Sequence, residues 1–208
     1  MSDLFDSDEL DQLGEMVNIA MGKAGATLAE AFSGFVSLNV PEIRTVEAAD
    51  IQRSREQVLR KYTTISAVRQ MFFGEFAGDV LVIYGPASYT VLRDILGFDE
   101  RDEMQPGRKQ REELLLELGN ALASTCILEV ARQLDLLTGL QPPRMLAIEA
   151  SVDMVDQQLF GEQSDWACKT FQIDIVFHLK EHDLPFELLI TVAPQSIGRL
   201  QAALAKIV

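Results

Sequence analysis

Two short constellations in this 208-residue chain have residue types and spacing that could do chemistry. The first is Asp11, Glu15 and Asn18, followed by Gly22 and Gly25; the second is Glu113, Glu117 and Asn120, followed by Ser124. At about 100° per residue, each set falls on one narrow stripe of a helix. Each stripe then presents acid, acid, carboxamide and small residues, and small residues let another surface come close. A carboxamide offers an acceptor and donors in one plane, and a carboxylate can hold a cation through a charge-assisted bond. Neither stripe supplies a nucleophile with its base, and Gly22 and Gly25 sit inside a helical pattern, unlike a phosphate-cradling loop. A polar outward helix face is ordinarily just solvated. Asn is a mediocre helix residue, however, and it recurs at the same point of both helices, three residues after Glu.

The elements that must carry these stripes follow from apolar spacing. Leu10, Leu13, Val17, Ala20, Ala24, Leu28 and Ala31 predict a helix over 9–32, with Leu13, Val17, Ala20 and Ala24 turned to the core. Two short strands and a charged, solvated helix over 48–61 are expected next. Segments 62–73 and 79–84, separated by Gly74 and Gly78, predict a hairpin, and Pro86 opens a helix over 87–96 that Gly97 ends. A second long helix is expected over 111–137, stopped by Gly139 and the pair Pro142–Pro143, with Leu115, Leu122 and Cys126 behind its polar stripe. Strands over 171–179 and 186–192, joined by a polar turn over 180–183, and a closing helix over 194–207 complete the chain.

The plan therefore runs twice. Glu15 and Glu117, Asn18 and Asn120, and Pro41 and Pro143 are each 102 positions apart. Pro86 and Pro194, Ser88 and Ser196, Leu92 and Leu200, and Leu96 and Leu204 are each 108 apart. Constant offsets of this kind mark an internal duplication. Neither half suffices for its own core. The expectation is one α+β domain over 1–208: repeats at about 9–97 and 110–208, an acidic linker over 98–109, and a central sheet with both long helices exposed on one face.

Composition narrows the function. With 32 Asp+Glu against 18 Lys+Arg, a net charge of −14 disfavours nucleic acid and anionic membrane surfaces. The acidic N-terminus is the reverse of a secretory signal, and no apolar run approaches about 18 residues. A cytoplasmic location with reduced Cys126 and Cys168 is the expectation. His178 and His182, the only histidines, have metal-like spacing across a strand end and turn, yet the chain reads as holding no metal site.

Asp11-x3-Glu15-x2-Asn18 with Pro41 trailing, and Glu113-x3-Glu117-x2-Asn120 with Pro142 and Pro143 trailing, resemble the signature of the CheC/CheX/FliY phosphatases. The text GEMVNIAMGKAGATL from Gly14 and LELGNALAS from Leu116 is similar to that family as well. Two intact copies resemble CheC more than CheX, and the absence of residues beyond Val208 points away from the longer FliY. Glu113 departs from the usual Asp or Ser. The resemblance implies hydrolysis of the aspartyl phosphate on a CheY-like response-regulator receiver, with Mg²⁺ held by that receiver and no cofactor of the chain's own. Asn18 and Asn120 would orient the attacking water, Glu15 and Glu117 would pair with the receiver's lysine, and Asp11 and Glu113 would serve docking. The alternative is a non-catalytic scaffold binding a CheD-like deamidase or the flagellar switch; retention of both Glu and Asn favours the enzyme.

Overall fold

Each half of the chain follows the order α-β-β-β-β-α. In the computed structural model the first half carries α1 (Ser7–Phe32), β1 (Val36–Leu38), β2 (Glu42–Val46), β3 (Thr64–Gly74), β4 (Gly78–Tyr84) and α2 (Ser88–Ile95). The second carries α3 (Arg108–Gln133), β5 (Thr138–Leu140), β6 (Arg144–Ser151), β7 (Thr170–Leu179), β8 (Leu184–Val192), a 3₁₀ turn Pro194–Ser196 and α4 (Ile197–Leu204). The structure describes residues 4–32, 34, 36–47, 50, 53, 57, 60–86, 88–95, 108–152, 170–179 and 184–206. The anticipated helix over 48–61 falls largely outside these residues. Gly97, most of the acidic linker, the turn over 180–183, Cys168 and His182 also lie outside them; positions 108 and 109 already belong to α3.

α1 begins at a reciprocal cap. The Glu9 N–H donates to Asp6 Oδ1 and the Asp6 N–H to Glu9 Oε2, both at 2.9 Å, which satisfies two orphan donors at once. α3 ends four residues earlier than the proline and glycine signals predict. Asp135 takes φ 52°, the Leu136 N–H reaches the Ala131 carbonyl at 3.0 Å, and the Asp135 N–H reaches Arg132 at 3.3 Å. An aspartate thus fills the left-handed position usually held by glycine, releasing the chain early enough for Gly139 to lie within β5. β5 and β6 had been hidden by those stop signals. α4 is likewise shorter than expected, ending at Leu204.

All described strands form one antiparallel sheet in the order β1-β7-β8-β4-β3-β5, with β2 also on β7 and β6 also on β3. The short strands of each half therefore pair with the long hairpin of the other half. A pseudo-two-fold axis passes through the Leu81–Leu189 pair, whose members are related by the 108-residue offset. At Gly74, φ is +122° and an added Cβ would lie 2.6 Å from the Leu137 carbonyl oxygen, so this end of the β3–β4 hairpin requires glycine.

Strand alternation divides the burial. Val68, Phe72, Val80, Val82, Tyr84, Phe171, Ile173, Ile175, Phe177, Leu188 and Ile190 meet the helices in the larger core. Ile65, Ala67, Leu81, Ile83 and Leu189 form a smaller cluster on the opposite face. α1 and α3 contribute Leu13, Val17, Ala20, Ala24, Leu115, Leu122 and Cys126 to the larger core, the faces anticipated from their spacing. α3 is the one described helix long and apolar enough to cross a membrane, with a window of mean hydropathy 1.5. Over half of that window is buried within the protein, as in a core helix.

Candidate active site: two exposed acid–amide pairs

Asp11, Glu15, Asn18 and Gly22 are all exposed on α1, and Glu113, Glu117 and Asn120 are exposed on α3. Ser124 is half-buried; its hydroxyl bonds back to the Asn120 carbonyl, which keeps it local to the helix. Gly25 does not belong to the free stripe. It is buried against β1, and a Cβ there would lie 3.1 Å from Leu38 Cδ1. Open space surrounds Gly22, where an added Cβ meets nothing within 4 Å. The first stripe is thus acid, acid, amide and one exposed glycine, and the second is acid, acid and amide.

The two stripes differ in how their side chains are held. Glu113 is 3.7 Å from Lys109 one turn earlier, an exposed pair of small energetic weight. Among the described residues Asp11, Glu15, Asn18 and Glu117 make no side-chain hydrogen bond or ion pair. Asn120 does: its Oδ1 accepts from Gln70 Nε2 at 2.8 Å. Gln70 comes from β3, is 2% exposed, and also donates from Nε2 to the Gln141 carbonyl at 2.9 Å. Gln70 escaped the sequence reading because one polar residue in a mostly apolar strand gives no sign that it touches a helix 50 positions away.

The approach of α3 to the sheet makes that contact possible. At Gly119, beside Asn120, a Cβ would lie 3.0 Å from Val68 Cγ1 and 3.1 Å from Tyr84 Oη. The Tyr84 hydroxyl donates to the Leu115 carbonyl at 2.9 Å, and burial raises its pKa well above the usual phenol range. α3 is pinned to β3 and β4 just beneath the second acid–amide pair. α1 is joined to α3 through Gln133 Nε2, which donates to the Met16 carbonyl at 3.1 Å.

As for metals, no group of three or more His, Cys, Asp or Glu among the described residues could hold an ion. What the surface offers is a pair of outward amides, each one helical turn from a carboxylate. Such a pair can take a cation with the acid and hold a water or an anionic oxygen with the amide.

No protein-family model matches the chain, and no curated protein sequence does. Solved structures do. FliY of Thermotoga maritima is 15% identical and superposes with a TM-score of 0.70, covering 97% of this chain and 98% of that one. The CheX–CheY–BeF3–Mg complex of Borrelia burgdorferi gives 14% identity, a TM-score of 0.51, and coverage of 86% and 96%. The FliM middle domain of H. pylori gives 8% identity, a TM-score of 0.58, and coverage of 96% and 99%. An α+β sheet duplicated about a pseudo-two-fold axis, with two long helices packed on one face, is the fold this chain shares with the FliY and CheX chemotaxis proteins and with FliM.

Proposed function

We propose that the chain is a chemotaxis phosphatase that hydrolyses the aspartyl phosphate of a CheY-like receiver in the cytoplasm. One observation carries this reading: an exposed Glu-x2-Asn pair occurs at the same point of both long helices. A protein of the same fold, CheX, forms a complex with CheY.

In the reaction, water attacks phosphorus, the bond between phosphorus and the receiver's aspartate oxygen breaks, and the displaced carboxylate and inorganic phosphate separate. The water's proton passes to the phosphate oxygens, so the chain needs no general base. Because the transition state is loose and in line, positioning and charge compensation dominate, and Mg²⁺ belongs to the receiver. Asn18 or Asn120 enters the receiver's cleft and holds the water in line; Glu15 or Glu117 pairs with the receiver's lysine and sets the register. Asp11 and Glu113 act at the rim of the docked surface. The chain's net charge of −14 gives no long-range steering toward an acidic receiver, so recognition is local.

Asn18→Ala combined with Asn120→Ala should abolish accelerated loss of phosphate from a phosphorylated receiver while keeping a cooperative thermal melt, lowered only by loss of the Gln70–Asn120 hydrogen bond. A parental rate in that double variant would remove the amides from the mechanism. The second reading, a non-catalytic scaffold for the flagellar switch or a CheD-like partner, draws on the fold's occurrence in FliM, one structure of which is a FliG–FliM complex. The exposed acid–amide pairs favour the enzyme over the scaffold.

A further inference from the structure

The two acid–amide pairs share a sequence signature but not an environment, and the difference lies beneath them. The sheet registers relate β3 to β7 by a constant offset: Phe72 faces Leu140 as Phe177 faces Leu38, and Arg69 faces Arg144 as Asp174 faces Glu42. Gln70 therefore corresponds to Ile175. On the helices, Gly119 corresponds to Val17. Asn120 thus has beside it a glycine letting α3 settle onto Val68 and Tyr84, and beneath it a glutamine, contributed by β3 of the first half, able to reach the amide. At the places equivalent for Asn18 stand Val17 and, from β7 of the second half, Ile175, both fully buried.

The polarity of the contact is determined by chemistry. The Gln141 backbone carbonyl can only accept, so the Gln70 amide must turn its NH₂ toward it. The same NH₂ faces Asn120, so Asn120 must turn its oxygen inward. A flip of either amide would set donor against donor or acceptor against acceptor. The Gln141 carbonyl is itself held: its residue donates N–H to the Met71 carbonyl at 2.9 Å and precedes Pro142, which confines it to extended conformations. Gln70 Oε1 is buried with no partner among the described residues. A buried amide left half satisfied is costly where isoleucine serves in the other repeat, which argues against a purely structural reason for Gln70.

We propose that Gln70 is a positioning residue for the second acid–amide pair: it locks the Asn120 amide with Oδ1 inward and Nδ2 outward, leaving one lone pair and both N–H groups for the phosphoryl oxygens and the water. This rests on the phosphatase reading above. Asn18, without such a partner, must be ordered at the moment of docking, so the two sites work at different rates on the same receiver. Immobilising one rotamer-rich side chain corresponds to about a two- to tenfold effect.

The test uses the full chain and CheY phosphorylated with acetyl phosphate. In an Asn18→Ala background, which leaves only the second site, Gln70→Ile should lower kcat about two- to tenfold with little change in KM, because docking through Glu117 is untouched. In an Asn120→Ala background, which leaves only the first site, Gln70→Ile should leave the rate unchanged. An unchanged kcat in the first background overturns the proposal. So does an equal loss in both backgrounds, which would mark a general packing effect. A parental rate in the Asn18→Ala, Asn120→Ala chain is a separate outcome, since it removes the phosphatase reading itself and this proposal with it.

Discussion

Lys23 on α1 lies 2.7 Å from Glu129 on α3, and Arg132, one turn after Glu129, closes on the same carboxylate at 2.6 and 3.0 Å. The glutamate is buried, while both cations keep much of their length in water. The contact fastens the two helices that display the acid–amide pairs. The hydrogen bonds from Arg132 and then Lys23 outweigh desolvation and hold the Glu129 carboxyl down at about 2, below the ordinary glutamate value. A carboxylate whose folded-state pKa is depressed adds stability above its unfolded value. That contribution fades as pH falls from about 4.5 toward about 2. Glu129→Gln should therefore cost about 1–2 kcal/mol near neutral pH, the worth of hydrogen bonds to a charged group with solvent-screened partners. Denaturant titrations between pH 2 and pH 7 should show a shallower acid limb in the variant; parallel limbs would remove this carboxylate from the acid response.

Glycines on the long helices should part company when replaced by alanine. Gly119→Ala drives a Cβ to 3.0 Å from Val68 Cγ1 and 3.1 Å from Tyr84 Oη, so α3 must lift, at a cost of about 1–3 kcal/mol. Gly22→Ala meets nothing within 4 Å and should stabilise α1 by about 0.5–1 kcal/mol. If an incoming receiver uses the open space at Gly22, the same stabilised variant binds it more weakly. Thermal melts and receiver titration on the two proteins measure both effects.

The duplication was legible because paired residues such as Glu15 and Glu117 keep a constant offset, and the exposed stripes were legible because helix periodicity separates Asn18 from Val17. What could not be read were contacts between distant segments. β6 pairs with β3 through irregular register shifts and places Glu149 at φ 46°, so its alternation is broken, and the prolines before it resemble a terminator. The exchange of short strands between halves leaves no local trace, because β1 and β5 pair equally well with either hairpin as far as pattern is concerned. Asp135 ended α3 through backbone hydrogen bonds that composition does not announce. Gln70 beneath Asn120 belongs to the same class: a difference between repeats that exists only once the sheet and helix are packed.

Cys126 offers a probe of the helix–sheet core. It is 1% exposed, and burial pushes its thiol up to about 12. In a Cys168→Ser chain, alkylation of Cys126 near pH 8 should follow opening of the fold and stay slow in native buffer. Reaction at the rate of a free thiol would mean that α3 separates readily from the sheet.

Ser196 and Ser88 occupy equivalent places, yet only one has work to do. The Ser196 hydroxyl accepts the Ala77 N–H at 2.9 Å, joining the start of α4 to the β3–β4 hairpin of the other half. The residue 108 positions after Ala77 is Pro185, which has no N–H to offer, and the buried Ser88 hydroxyl has no partner among the described residues. Both serines keep their backbone bonds, from Ser196 to Ala193 and from Ser88 to Gly85, so alanine leaves the turns intact. Ser196→Ala should cost about 1–3 kcal/mol, because it strands a buried backbone donor. Ser88→Ala should be neutral or mildly stabilising, since it removes an unsatisfied hydroxyl from a buried site. Urea midpoints of the two variants against the parent give the comparison, and equal losses would mean that the pseudo-symmetry does not govern these turns.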